Sequence, residues 1–192
     1  MLLDVNGRTA YVYTAGSAPG RHAIVFIHGA QNDHSVWTAQ ARTLAHQGHH
    51  VLAVDLPGHG RSAGPALATV EDMAAWLLGL LDAAGIARAV LAGHSMGSLI
   101  ALEAASRAPA RVRALALVGS TWPMKVSDAL LETARTNEPA AIDMVNLWSH
   151  AAVAGAAAGR PPGYRGGGAG RPRGGGGWGG VPRPGVETAE KG

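Results

Sequence analysis

The chain has 192 residues, enough for one domain with a sizeable core. It contains no cysteine, which excludes a disulfide framework and a thiolate metal site, and no apolar run approaches the roughly 18 residues of a membrane span. The net charge of +3 is unevenly placed: residues 1–154 hold ten Lys and Arg against eleven Asp and Glu, whereas residues 155–192 hold six against two. The first part is therefore close to neutral and carries no electrostatic footprint for nucleic acid.

Leu2–Val5 and Thr9–Thr14 read as short strands joined across Asn6-Gly7, a two-residue hairpin signal. Met1–Asn6 lacks the basic and apolar regions of a signal peptide, so a cytoplasmic protein is expected. His22–Ile27 is a continuous apolar, β-branched run, the pattern of a strand covered on both faces. It ends in the polar stretch His28-Gly29-Ala30-Gln31-Asn32-Asp33-His34-Ser35, which leads into a helix near Trp37–His46 stopped at Gly48. Val51–Val54 is the next buried strand, and Asp55-Leu56-Pro57-Gly58-His59-Gly60-Arg61-Ser62 terminates it. Thr69 then caps a helix over Val70–Ala84, with Asp72 at its third position and Gly85 at its end.

Ala89–Ala92 is another strand-like run, followed by Gly93-His94-Ser95-Met96-Gly97 and a helix over Ser95–Arg107 that Pro109 prevents from continuing. A G-x-S-x-G between a strand and a helix is a nucleophile elbow, with the serine hydroxyl held clear on a sharp turn. The alternative is a strand–helix turn that merely contains serine. Ala114–Gly119 reads as a last buried strand. Strands alternating with helices predict a mostly parallel α/β sheet with an antiparallel N-terminal hairpin, and the chemistry of such sheets gathers at the carboxyl ends of the strands. Those ends carry His28-Gly29, Asp55, His94-Ser95 and Gly119-Ser120.

From Trp122-Pro123 the alternation stops. Ser127–Thr136 and Glu138–Ala154 read as two helices, placed like a lid over the strand ends. The expected organisation is a core over residues 1–122, the start of a helical lid over 123–154, and a Gly/Arg/Pro-rich tail over 155–192. That tail has only Tyr164 and Trp178 as aromatics and is expected to be disordered.

Together, His28-Gly29 with Trp37, Asp55–Ser62, Gly93–Gly97 and Ala116-Leu117-Val118-Gly119 resemble the α/β-hydrolase superfamily, in its lid-bearing serine esterase/lipase-like branch. The resemblance covers about residues 1–154 and implies a three-layer α/β sandwich without its final two strands. It implies that Ser95 is the nucleophile, forming an acyl-enzyme, and that the backbone N–H groups of Ala30 and Met96 are the oxyanion donors. Serine at the elbow, rather than aspartate, speaks against epoxide and haloalkane chemistry. It favours small esters, lactones, thioesters or acylglycerols, with no cofactor and no metal.

The family order of Ser, then acid, then His leaves a gap. After Ser95 the only histidine is His150, in the lid, and no strand-like run follows Gly119. His94 is expected to point away from Ser95, and His28 to support the oxyanion loop. His59 is expected to brace its turn, and Asp55 to order its own rather than serve as triad acid. His22, His34, His46, His49 and His50 read as loop or helix-surface residues, and no His/Asp/Glu spacing argues for a metal. The chain is accordingly expected to be weak or inactive on its own. The abrupt change of composition near Ala154 reads as truncation or out-of-frame translation of GC-rich DNA, and an RGG-like RNA-binding tail is the alternative. A non-catalytic binding protein on the same fold also stays open.

Overall fold

The computed structural model describes residues 1–17 and 22–149. Its strands are β1 (Leu2–Val5), β2 (Arg8–Ala15), β3 (Ala23–Ile27), β4 (His50–Val54), β5 (Ala89–His94) and β6 (Val112–Val118). Its helices are α1 (Thr38–His46), α2 (Val70–Ala83), α3 (Met96–Arg107), α4 (Asp128–Thr136) and α5 (Glu138–Ser149). The strands form one mixed sheet in the order β1-β2-β4-β3-β5-β6. β1 with β2 and β2 with β4 are antiparallel, and the remaining pairs are parallel. The hairpin forms at the residues that signal it: Asn6 (φ 55°) and Gly7 (φ 78°) both take the left-handed region, and Asp4 accepts from Gly7 N.

The sheet is covered on both sides. On one face Val25, Ile27, Leu52, Val54 and Leu91 pack with Met73, Leu77, Leu80 and Leu81 of α2 and Ile100, Ala101 and Ala104 of α3. On the other, Ile24, Phe26, Val51, Ala53 and Ala92 pack with Ala41 of α1 and with Trp37, whose ring stacks on Phe26 at 4.6 Å. α2 is held as its sequence requires. Thr69 accepts from Asp72 N, Glu71 and Asp72 sit in the first turn, and buried Met73, Trp76, Leu77, Leu80 and Leu81 fall at helical spacing. Each fully buried leucine contributes about 1.5–3 kcal/mol relative to exposure.

Element boundaries shift by a residue or two from the sequence reading, and at two of them the cause is visible. Trp37 ends a 3-10 helix over His34–Trp37, capped by the Asp33 side chain accepting from Ser35 N, and α1 begins only at Thr38. β6 starts at Val112 rather than Ala114, because Arg111 anchors the preceding turn on Ile86 O and Ala87 O. α4, N-capped by Ser127, and α5 pack chiefly on each other around buried Leu130 and Ala141. Parallel register sets Ile27 beside both Val54 and Gly93, so the carboxyl ends of β3, β4 and β5 reach one rim together. Helix residues beyond Ser149, and the tail at 155–192, lie outside the described residues.

Candidate active site

Ser95 sits between β5 and α3 with φ 51° and ψ −119°. A non-glycine residue in that region is uncommon, and such strain, on the order of 1–3 kcal/mol, persists only where the surroundings fix it. Here they do. Ser95 N donates to Val118 O at 2.9 Å, and Ser95 O accepts from Ser98 N at 2.8 Å and from the fully buried Ser98 hydroxyl at 2.5 Å. The flanking glycines are required sterically. A Cβ on Gly93 would collide with the Gly97 carbonyl, and one on Gly97 with the carbonyls of Ile27 and His28. Gly29 lies alongside, and a Cβ there would be 3.3 Å from the Ser95 Cβ. The end of β3 and the start of α3 are therefore packed backbone to backbone, with Ser95 at the seam. Ala30 follows directly, and among the described residues neither its N–H nor that of Met96 donates to another group.

The turn after β3 is tied to the turn after β4. His28 is fully buried; its Nδ1 lies 2.7 Å from Gly29 O, and its Nε2 accepts from Leu56 N at 3.1 Å. Burial, reinforced by neighbouring His59, lowers the His28 pKa to about 4, so the ring is neutral at physiological pH. His59 Nδ1 donates to Pro57 O (3.1 Å), and burial lowers its pKa as well. Asp55 is wholly buried. Its Oδ1 accepts from both His34 N and His34 Nδ1 at 2.7 Å, and its Oδ2 accepts from Arg61 N at 2.9 Å. The Ser62 hydroxyl donates to Asp55 O and accepts from Tyr11 N, which ties β2 into the same knot. Asp55 thus orders its turn, as expected.

His34 departs from expectation. It is not a surface residue; its side chain is 13% exposed and lies against the rings of Tyr11 and Tyr13. Asp33, His34 and Asp55 also bring three ligand-type atoms within 4.8 Å of one another, a grouping that no spacing in the sequence announces. Those atoms are already engaged, since Asp33 accepts from Ser35 N and Asp55 from His34. The group is a hydrogen-bonded brace.

Residues 22–149 match the family model of the alpha/beta hydrolase fold. The chain belongs to the α/β-hydrolase family. Among its curated relatives, it is 38% identical over 118 residues to the dihydrolipoyllysine-residue acetyltransferase component of the acetoin cleaving system of Pseudomonas putida, covering 61% of this chain and 31% of that protein. It is 31% identical over 163 residues to an epoxide hydrolase of Caballeronia sordidicola, covering 79% of this chain and 49% of the relative. It also superposes on the crystal structure of the enol-lactonase from Burkholderia xenovorans LB400 with a TM-score of 0.66 and 30% identity, over 77% of this chain and 58% of that one. This α/β-hydrolase chain spans about a third to a half of the length of those two curated relatives.

The six-stranded sheet with its antiparallel N-terminal hairpin is the partial α/β-hydrolase architecture that the sequence motifs imply. Within it, the elbow and the Gly29-Ala30 turn come together, while the histidines do not converge on Ser95. Among the described residues none hydrogen-bonds to its hydroxyl. The His94 ring is wedged between Gly29 and Gly119: a Cβ at Gly29 would lie 3.0 Å from its Nδ1, and one at Gly119 3.3 Å from its Nε2. Burial lowers its pKa. His150, and the tail read as disordered or RNA-binding, lie outside the described residues. No helix among the described residues is long and apolar enough to cross a membrane.

Proposed function

We propose that this chain carries the nucleophile half of a serine hydrolase acting on a small carboxylic ester, lactone or related acyl group. The observation that supports it is Ser95 held at φ 51° between β5 and α3, with the Gly29-Ala30 turn packed against it. The Ser95 hydroxyl would attack the acyl carbonyl carbon. The leaving alcohol would depart with a proton, and water would release the acid from the acyl-enzyme. Negative charge on the carbonyl oxygen would fall to the N–H groups of Ala30 and Met96, the latter at the positive end of α3; one such donor is commonly worth about 2.7–4 kcal/mol. Serine at the elbow favours this over the epoxide chemistry named for one relative. Helices α4 and α5 follow the last strand and would select the acyl group as a lid.

The proton from Ser95 needs a base, and none of the described histidines bonds to it, so turnover by this chain alone is expected to be weak. That same observation favours a second reading, a non-catalytic binding protein on the hydrolase fold. Labelling with a fluorophosphonate probe and hydrolysis of p-nitrophenyl acetate separate the two. Labelling and turnover that disappear in Ser95→Ala support the hydrolase; a chain that is inert in both assays at high probe concentration supports the binding protein.

A further inference from the structure

His94 is the last residue of β5, and β5 lies between β3 and β6. Side chains alternate along a strand, so His94 shares a face with Ala92, on the side of the sheet that packs against Trp37 and α1. From there its ring spans both neighbouring strand ends. Nδ1 lies towards Gly29, where an added Cβ would come within 3.0 Å of it, and Nε2 towards Gly119, where the corresponding distance is 3.3 Å. Neither ring nitrogen has a hydrogen-bond partner among the described residues, so the ring acts on both turns through its volume. The turn after β3 depends on such a contact. His28 Nε2 ties it to Leu56 N on the β4 side, but among the described residues no hydrogen bond crosses from Gly29 or Ala30 to β5 or α3. On that side Gly29 is held by packing, against the His94 ring and against Ser95.

We propose that His94 is a positioning residue: its ring fills the gap between the turns after β3 and β6, and so sets how far the Ala30 N–H stands from the Ser95 hydroxyl. This role rests on the reading of Ser95 as nucleophile and Ala30 as oxyanion donor. It is steric, because the two ring nitrogens face Gly29 and Gly119 and neither is bonded to the Ser95 hydroxyl. A displacement of about 1 Å at a reacting group costs on the order of 100-fold in rate, so a side chain that never touches the acyl group can still govern its attack. Asparagine separates volume from imidazole chemistry. In the same rotamer its two δ atoms stand where Nδ1 and Cδ2 of histidine stand, which fills the space beside Gly29 without a ring nitrogen to carry a proton.

Fluorophosphonate labelling of Ser95 in the full chain tests this, with each rate corrected for the folded fraction by urea unfolding. His94→Ala is expected to lower the labelling rate constant by at least about tenfold, and His94→Asn to keep it within about threefold of the parent. Gly29→Ala alone drives a methyl against the ring and should also cost about tenfold; in the His94→Ala background that methyl enters the vacated space. Its contacts with His94 O and the Ser95 Cβ, at 3.2 and 3.3 Å, persist in both backgrounds, so the recovery is partial. The double variant should still label at least about tenfold faster than the product of the two single losses. Exchange of the Ala30 amide proton, followed by NMR, should rise by about fivefold or more in His94→Ala and stay at the parent value in His94→Asn. Equal losses in the Asn and Ala variants, single losses that simply multiply, or unchanged Ala30 exchange in His94→Ala would each overturn the proposal. A parent that does not label overturns the hydrolase reading and this role with it, whereas a parent and His94→Ala that label equally well overturn the role of His94 alone.

Discussion

Replacing Asp55 with alanine removes an acceptor that holds three donors in a buried place: His34 N, His34 Nδ1 and Arg61 N, all within 2.9 Å. Hydrogen bonds to a charged group contribute about 1.5–3 kcal/mol each, so three set a ceiling of about 5–9 kcal/mol, which non-additivity and relaxation reduce. We expect Asp55→Ala to cost about 4 kcal/mol, much of it from donors left without an acceptor. Asp55→Asn keeps one acceptor for His34 but turns an NH2 group towards Arg61 N, a donor facing a donor, and is expected to cost about 2–3 kcal/mol. Urea unfolding followed by tryptophan fluorescence reads both. With a slope of about 2 kcal/mol/M, the alanine variant moves its midpoint down by about 2 M. A shift below about 0.5 M, or equal shifts for Asn and Ala, would refute the role given to this carboxylate.

Stability should also depend on pH in a defined direction. Burial holds His28 at about 4 in the folded chain, against 6.5 when unfolded. Between those values the unfolded chain binds the extra proton. Stability is therefore complete above pH 6.5 and declines as pH falls towards 4, by about 3 kcal/mol from this group, with His59 and His94 acting in the same sense. Urea midpoints at about pH 7.5 and about pH 4.5 measure the decline, which His28→Asn should flatten; a parent profile without slope would contradict it. Gly97→Ala drives a Cβ against two backbone carbonyls, Ile27 O and His28 O, the second at 2.6 Å. We expect a cost of about 3 kcal/mol and a melting temperature about 6–12 °C lower by calorimetry. Gly85→Ala meets nothing within 4 Å and bears only its left-handed φ of 66°, about 1 kcal/mol. Comparable losses in the two variants would show that crowding at the elbow is not what excludes side chains.

The features legible in the sequence are those whose cause is local. Asn6-Gly7 specifies its turn through two adjacent dihedrals, Thr69 reaches only as far as Asp72, and Gly93 and Gly97 bracket the serine within a single turn. The buried strands announce themselves because apolar side chains on both faces leave no alternation to mistake. His34 was illegible for the opposite reason. Its partner Asp55 is 21 residues away, and nothing beside His34 distinguishes it from a surface histidine at a helix start. One signal was available: an Asp ending an apolar strand is buried, and a buried carboxylate requires donors from somewhere. The same distance hid the Asp33–His34–Asp55 grouping. Boundaries moved where a long-range anchor intervened, as Arg111 does at the start of β6.

The bonds recorded for the turn after β3 have a common origin. Asp55, Leu56, Ser35 and the turn's own residues supply them, and Arg61, Ser62 and Tyr11 hold Asp55 in place. All of these lie before residue 63, whereas Ser95 and its supports Ser98 and Val118 lie after residue 94. The two parts of the site are thus separable in the gene as well as in the chain. A recombination event between the codons for residues 63 and 88 would exchange one elbow for another while leaving the opposing turn and its braces intact, and would preserve the docking between them wherever the incoming segment kept Gly93 and Gly97.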